Sequence, residues 1–227
     1  MLQAKARRET ERSTVDDQAL ELLEKAAIPV AYHHCLLENY YPQGHQSSPE
    51  FLSQANAMLD GKYLVKNFPV TDRGLFYMGR PGVGKTHLAI ALLKELIVTY
   101  KVRGLFLDYG ALVEELEAYY NHYQESCRLA SVRHFAEVPL LLIDDLGCVT
   151  PPPAILEVIG HLIRVRHSRK TITLITTNYS DGENYFDTGL ITDRIGERIN
   201  SRLCEMTKRV FICGSDYRLK LTQDRRG

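Results

Sequence analysis

The chain has 227 residues, with 28 Lys and Arg against 28 Asp and Glu, a formal net charge of zero and 44% hydrophobic residues. That usage is ordinary for a globular protein and excludes a disordered chain or a wholly basic nucleic-acid coat. No apolar run approaches the length of a membrane span, and the charged start (Lys5, Arg7, Arg8, Glu9) lacks the apolar core of a signal peptide.

In chain order, residues 1–12 carry charge without apolar periodicity and read as an arm. Ser13 and Thr14 are candidate N-caps, with Asp16 and Asp17 in the first turn of a short helix through Leu20, Leu22, Leu23 and Ala26. Pro29 stops it. Pro42, Gly44, Ser47, Ser48 and Pro49 mark a loop, and Phe51 to Leu59 reads as another short helix. From Gly74 onward, apolar runs alternate with helical stretches. The runs are Leu75–Met78, Gly104–Leu107, Leu140–Ile143, Ile172–Thr176 and Arg209–Cys213. The helical stretches are His87–Tyr100, Ala111–Tyr120, Ala154–Arg166 and Asp193–Met206. This alternation predicts an α/β fold, a parallel sheet flanked by helices. The expected division is an N-terminal segment 1–50, able to bind a partner, and a main domain 51–227. The five cysteines form no C-x-x-C pair, so a reducing, cytoplasmic setting is the default expectation.

Gly79-Arg80-Pro81-Gly82-Val83-Gly84-Lys85-Thr86 fits G-x-x-x-x-G-K-[ST] in full, after a candidate strand and before an amphipathic helix. Glycines let successive N–H groups face a phosphate, and the following helix aims its positive end at the same anion. Lys85 is expected to reach the β and γ phosphates of ATP, and Thr86 to ligate Mg²⁺. The run Leu140 to Ile143 ends in Asp144-Asp145. Adjacent carboxylates at the tip of a buried strand have a purpose beside Mg-ATP: Asp144 for the metal, Asp145 for polarising the attacking water. Thr176-Thr177-Asn178 ends the next run, and Asn178 can orient water against the γ phosphate.

Together these residues resemble the DnaC-like helicase loaders among the DnaC/IstB relatives of the AAA+ ATPase superfamily. Ala26-Ala27-Ile28-Pro29 with Tyr32 resembles the A-x-I-P-x-x-Y segment ahead of that group's core. Thr86-His87-Leu88-Ala89 continues the P-loop as the family does, so the resemblance adds His87 to the nucleotide-binding set. Leu142 to Gly147 resembles Walker B, and Thr176 to Asn178 resembles sensor 1. Arg198 to Met206 resembles the arginine-finger helix, and Gly214 to Arg218 the closing signature. The pair Asp144-Asp145 favours the loader side, since IstB-type helpers usually carry Asp-Glu.

The resemblance implies an AAA+ P-loop ATPase core. Only nine residues follow Arg218, so no C-terminal helical lid is expected. Arg202 is the expected finger, acting on a neighbour's ATP, with Arg198 as its rival. Implied partners are a replicative helicase, single-stranded DNA and further copies in a ring or spiral. A transposition helper acting on target DNA is the alternative, and a non-hydrolysing adaptor a third. Residues 104–127 hold acids without Lys or Arg, and residues 160–170 hold Arg164, Arg166, Arg169 and Lys170 without an acid. The first segment suggests subunit contact, and Tyr119, Tyr120 and Tyr123 suggest base stacking.

Overall fold

The computed structural model describes residues 17–120, 125–182 and 189–218. Residues 1–12, Ser13, Thr14, Asp16 and Tyr123 lie outside them, as do the side chains of Tyr119 and Tyr120.

A helical stretch over 17–24 leads to two single 3-10 turns, Val30–Tyr32 and Leu37–Asn39. Helix α1 (Pro49–Asn67) follows; Ser48 caps it by accepting from Phe51 N, with Pro49 at a first-turn position. It runs eight residues past the expected Leu59, because apolar Leu64 and polar Lys62 and Lys66 continue a helix-compatible pattern. Then come β1 (Gly74–Met78), α2 (Lys85–Tyr100), β2 (Gly104–Asp108), α3 (Tyr109–Tyr120), α4 (Glu125–Glu137), β3 (Leu140–Asp144), α5 (Pro153–Arg169) and β4 (Ile172–Thr177). Last are α6 (Ile191–Ile195), α7 (Glu197–Met206) and β5 (Thr207–Phe211). The single helix expected over 193–206 is two helices meeting at Gly196, where φ is +77°.

All four strand pairings are parallel, in the order β2-β3-β4-β1-β5. Strand β3 is buried along its whole length, so its residues serve both faces. Leu141 and Ile143 enter one apolar layer beneath α3 to α7, while Leu140 and Leu142 enter the other beneath α1 and α2. The described part of the N-terminal segment packs into the second layer. Ala26 is fully buried and its carbonyl accepts from Phe106 N at 2.8 Å; Cys35 and Tyr40 are buried there too.

The charge runs change character in space. Arg166 is completely buried. Its guanidinium donates to Thr173 Oγ1 and to the carbonyls of Phe135, Val138 and Ile172 at 2.6–2.9 Å. Arg169 pairs with Glu137, and Lys170 approaches Asp72 at 3.5 Å. The segment 160–170 is therefore not an unpaired basic patch. Among the described residues, no helix is long and apolar enough to cross a membrane.

Candidate nucleotide site

The loop between β1 and α2 carries Gly79 to Gly84, and α2 starts at Lys85 with Gly84 as its N-cap. Gly84 sits at φ +95°, and a Cβ there would lie 3.0 Å from the ring of Tyr40. Gly82, at φ +77°, is equally constrained: a Cβ would lie 1.9 Å from Asp216 Oδ1. Glycine is thus demanded twice, by left-handed backbone and by close neighbours.

Strand order explains how distant residues meet. β4 lies between β1 and β3, so the tip of β4 separates the P-loop from Asp144 and Asp145. Asn178, just past that tip, bridges the two. Its Oδ1 accepts from Lys85 Nζ at 2.7 Å, and its Nδ2 donates to Asp145 Oδ1 at 2.7 Å. Lys85 Nζ also donates to the carbonyls of Gly79 and Arg80 at 2.8 Å. Asp144 Oδ1 accepts from Thr86 Oγ1 at 2.9 Å and from Thr176 Oγ1 at 2.6 Å. Thr176 has a second role that sequence reasoning missed: its Oγ1 accepts from Asp145 N at 2.9 Å. This holds Asp145 at φ +55°, a strain of about 1 kcal/mol for a residue with a side chain.

Electrostatics follow from burial. Lys85 is pushed down to about 8, with Asp145 and Asp144 opposing the shift. Burial raises Asp144 against its hydroxyl bonds, and raises Asp145 against the pull of Lys85. These groups line a cavity of about 660 Å³, ample for a nucleotide. Gly82, Val83, Gly84, Thr86 and His87 share its wall with Tyr32, Tyr40, Tyr217 and Arg218; Gly79, Arg80 and Pro81, in the same loop, are not among its lining residues. His87 Nε2 lies 3.1 Å from Leu36 O and 2.9 Å from Asn39 Oδ1. The hydroxyl of Thr86 and the carboxylate of Asp144 are a hard-oxygen pair that fits Mg²⁺.

Arg202 is not brought to this cavity. It sits half-buried on α7 and donates to Arg198 O at 3.2 Å. Its neighbour Glu205 is taken by His167 at 2.9 Å. Arg194 was also missed. It donates to Gly147 O and Cys148 O at 2.8 and 3.1 Å, and its guanidinium lies 5.0 Å from the ring of Tyr179. No spacing rule flags a lone Arg on a five-residue helix.

The sequence profile described as IstB-like ATP binding protein matches residues 21–225, nearly the whole chain. The chain belongs to that family. The chain is also 25% identical over 181 residues to the replicative helicase loader DnaC of Escherichia coli K12, covering 79% of this chain and 66% of that protein. It therefore spans just under two thirds of that relative. A putative insertion sequence ATP-binding protein of Sinorhizobium fredii is 36% identical over 168 residues, covering 72% of this chain and 54% of that one. The crystal structure of the DnaC helicase loader aligns at TM-score 0.67 and 29% identity, over 82% of this chain and all of that one. DnaA from Aquifex aeolicus bound to AMPPCP aligns at TM-score 0.61 and 16% identity, a likeness of fold alone. The DnaC/IstB-like family and the AAA+ fold are thus as the motifs implied. This is a class of ATP-binding proteins, consistent with ATPase activity.

Proposed function

We propose that the protein binds and hydrolyses Mg-ATP in the cytoplasm to load a replicative DNA helicase, engaging single-stranded DNA as an assembly. The observation that carries hydrolysis is the bridge Lys85–Asn178–Asp145, which joins a phosphate-binding cation to a carboxylate through one amide. Lys85 and the P-loop N–H groups would bind the β and γ phosphates, and Thr86 with Asp144 would hold Mg²⁺. Bound there, the ion would neutralise charge developing on the phosphates. Asp145 accepts a proton from the attacking water, and Asn178 holds Asp145 in place beside Lys85. Arg202, outside its own chain's cavity, acts on the ATP of a neighbouring copy. Such a head-to-tail contact builds a ring or spiral.

The loader reading is supported by the DnaC alignment that covers all of the solved loader chain and by the Asp144-Asp145 pair. A second reading, a transposition helper acting on target DNA, is supported by the 36% identity to the insertion sequence protein. Native mass spectrometry with the host's replicative helicase, with and without ATP, separates them. A loader forms a helicase complex; no complex under either condition, with ATP-dependent filaments on duplex DNA, overturns the loader reading. Lys85→Ala is expected to weaken nucleotide binding at least about 100-fold, since it removes a charged phosphate contact. Titration with a fluorescent ATP analogue measures it, and unchanged affinity would remove Lys85 from the site.

A further inference from the structure

His34, Cys35 and His87 line the same cavity as the P-loop, and the hydrolysis chemistry proposed above uses none of the three. One donor atom from each, an imidazole nitrogen or Sγ, lies within 4.8 Å of the others, and Cys35 Sγ is 3.8 Å from His34 Nε2. Donors around a tetrahedral zinc at ~2.0–2.3 Å stand roughly 3.3–3.7 Å apart, so closing the set shortens the longest separation by about 1–1.5 Å.

The backbone beneath the cluster is fixed. Lys94 Nζ donates to the carbonyls of His33 and Cys35 at 2.7 and 3.0 Å, and Asn39 Nδ2 donates to His34 O at 2.6 Å. His87 stands on the first turn of α2, a helix anchored in the core. The donors therefore come from two rigid pieces of chain, as a metal site needs. Cys35 is 1% exposed while His34 is exposed, which gives a buried soft ligand with a solvent-side entry. The cluster shares no residue with Thr86 and Asp144, and its nitrogen and sulfur donors suit a different kind of ion from their oxygens.

We propose that His34, Cys35 and His87 form a second cation site, selective for zinc-like divalent ions, that clamps the 33–39 segment to the first turn of α2. Coordination through Sγ replaces the S–H bond by an S–metal bond, and the proton leaves to solvent. Water completes a four-coordinate shell. Burial holds the free Cys35 thiol up at about 11, so without a metal it is a protonated, chemically quiet thiol.

The test uses the full chain and Co²⁺ as a spectroscopic stand-in for zinc. The expected result is a thiolate-to-cobalt charge-transfer band with tetrahedral visible bands, abolished by one equivalent of Zn²⁺ and unaffected by excess Mg²⁺. Cys35→Ser abolishes the charge-transfer band. His34→Ala, an exposed substitution with little risk to folding, weakens Co²⁺ binding at least about tenfold and removes the thermal stabilisation that Zn²⁺ gives. A double Cys204→Ser, Cys213→Ser variant, lacking two exposed thiols, keeps the band. No charge-transfer band in the unmodified protein, or an undiminished affinity in His34→Ala, overturns the proposal. So does loss of the band in the double variant.

Discussion

Asn178 carries two bonds that a shorter side chain cannot replace, one from Lys85 and one to Asp145. Asn178→Ala leaves the P-loop backbone and Lys85 intact, so nucleotide affinity is expected to stay within a few-fold. Turnover is expected to fall about 100-fold, the scale of losing a positioned acid–base group. Phosphate-release kinetics beside a binding titration separate the two; equal losses in both would make Asn178 a binding residue. Arg166 is the opposite kind of residue, all structure. Arg166→Met removes four donors and strands the buried carbonyls of Phe135, Val138 and Ile172. At about 1–3 kcal/mol for each unsatisfied group, partly relieved by relaxation, a destabilisation of roughly 3–5 kcal/mol is expected by urea titration. Lys85, Thr86, Asp144 and Asp145 were legible in the sequence because their motifs are local. Arg166 was not: within a basic run, nothing marks the one side chain that bonds to α4, to the connection before β3 and to β4. Thr176 was visible as part of a Thr-Thr-Asn tip, but its bonds to both aspartates depend on strands adjacent only in the fold.

Among the elements, strands were the more legible because short apolar runs announced each one. β5 begins at Thr207, two residues ahead of the expected Arg209. It is an edge strand with exposed Lys208 and half-buried Arg209, so its apolar signal is weak at the start. The break at Gly196 was missed for a related reason, since a single glycine within a helical pattern is often tolerated. That break has a functional consequence. It frees α6 to point Arg194 at the loop after Asp145, while α7 carries Arg202. Arg194 thus ties the loop beyond Asp144 and Asp145 to the element beside the candidate finger. Arg194→Ala is expected to lower turnover about tenfold at unchanged nucleotide affinity. Arg194→Lys does not restore it, because one ammonium cannot reproduce a two-carbonyl fork stacked near Tyr179. Turnover and affinity measured on both variants check this; full activity in Arg194→Ala would leave the loop self-supporting.

On the scale of the molecule, neutrality is reached by local compensation more than by segregation. Arg169 meets Glu137, Lys170 approaches Asp72 and Lys208 meets Asp60, while the acids of α3, Glu114, Glu115 and Glu117, stay exposed. Charge compensated in this way among the described residues offers a single copy little attraction to DNA, in keeping with the assembly proposed above. The parallel order β2-β3-β4-β1-β5 gathers Lys85, Asp144, Asp145 and Asn178 at the C-terminal ends of the three central strands and leaves Arg202 elsewhere. If Arg202 serves the neighbour, each active centre draws Asp145 from one copy and Arg202 from the next. Two inactive variants then repair each other. Arg202→Ala keeps an intact cavity, and Asp145→Asn keeps an intact finger. Each alone is expected to lose at least about 100-fold in turnover. Mixed in equal amounts, some contacts pair an intact cavity with an intact finger, and activity rises well above either variant. Mixing Arg202→Ala with Lys85→Ala follows the same arithmetic if the latter still assembles. Activity in the mixture that merely averages the two variants would confine the reaction to one chain, and full activity in Arg202→Ala alone would place Arg202 outside it.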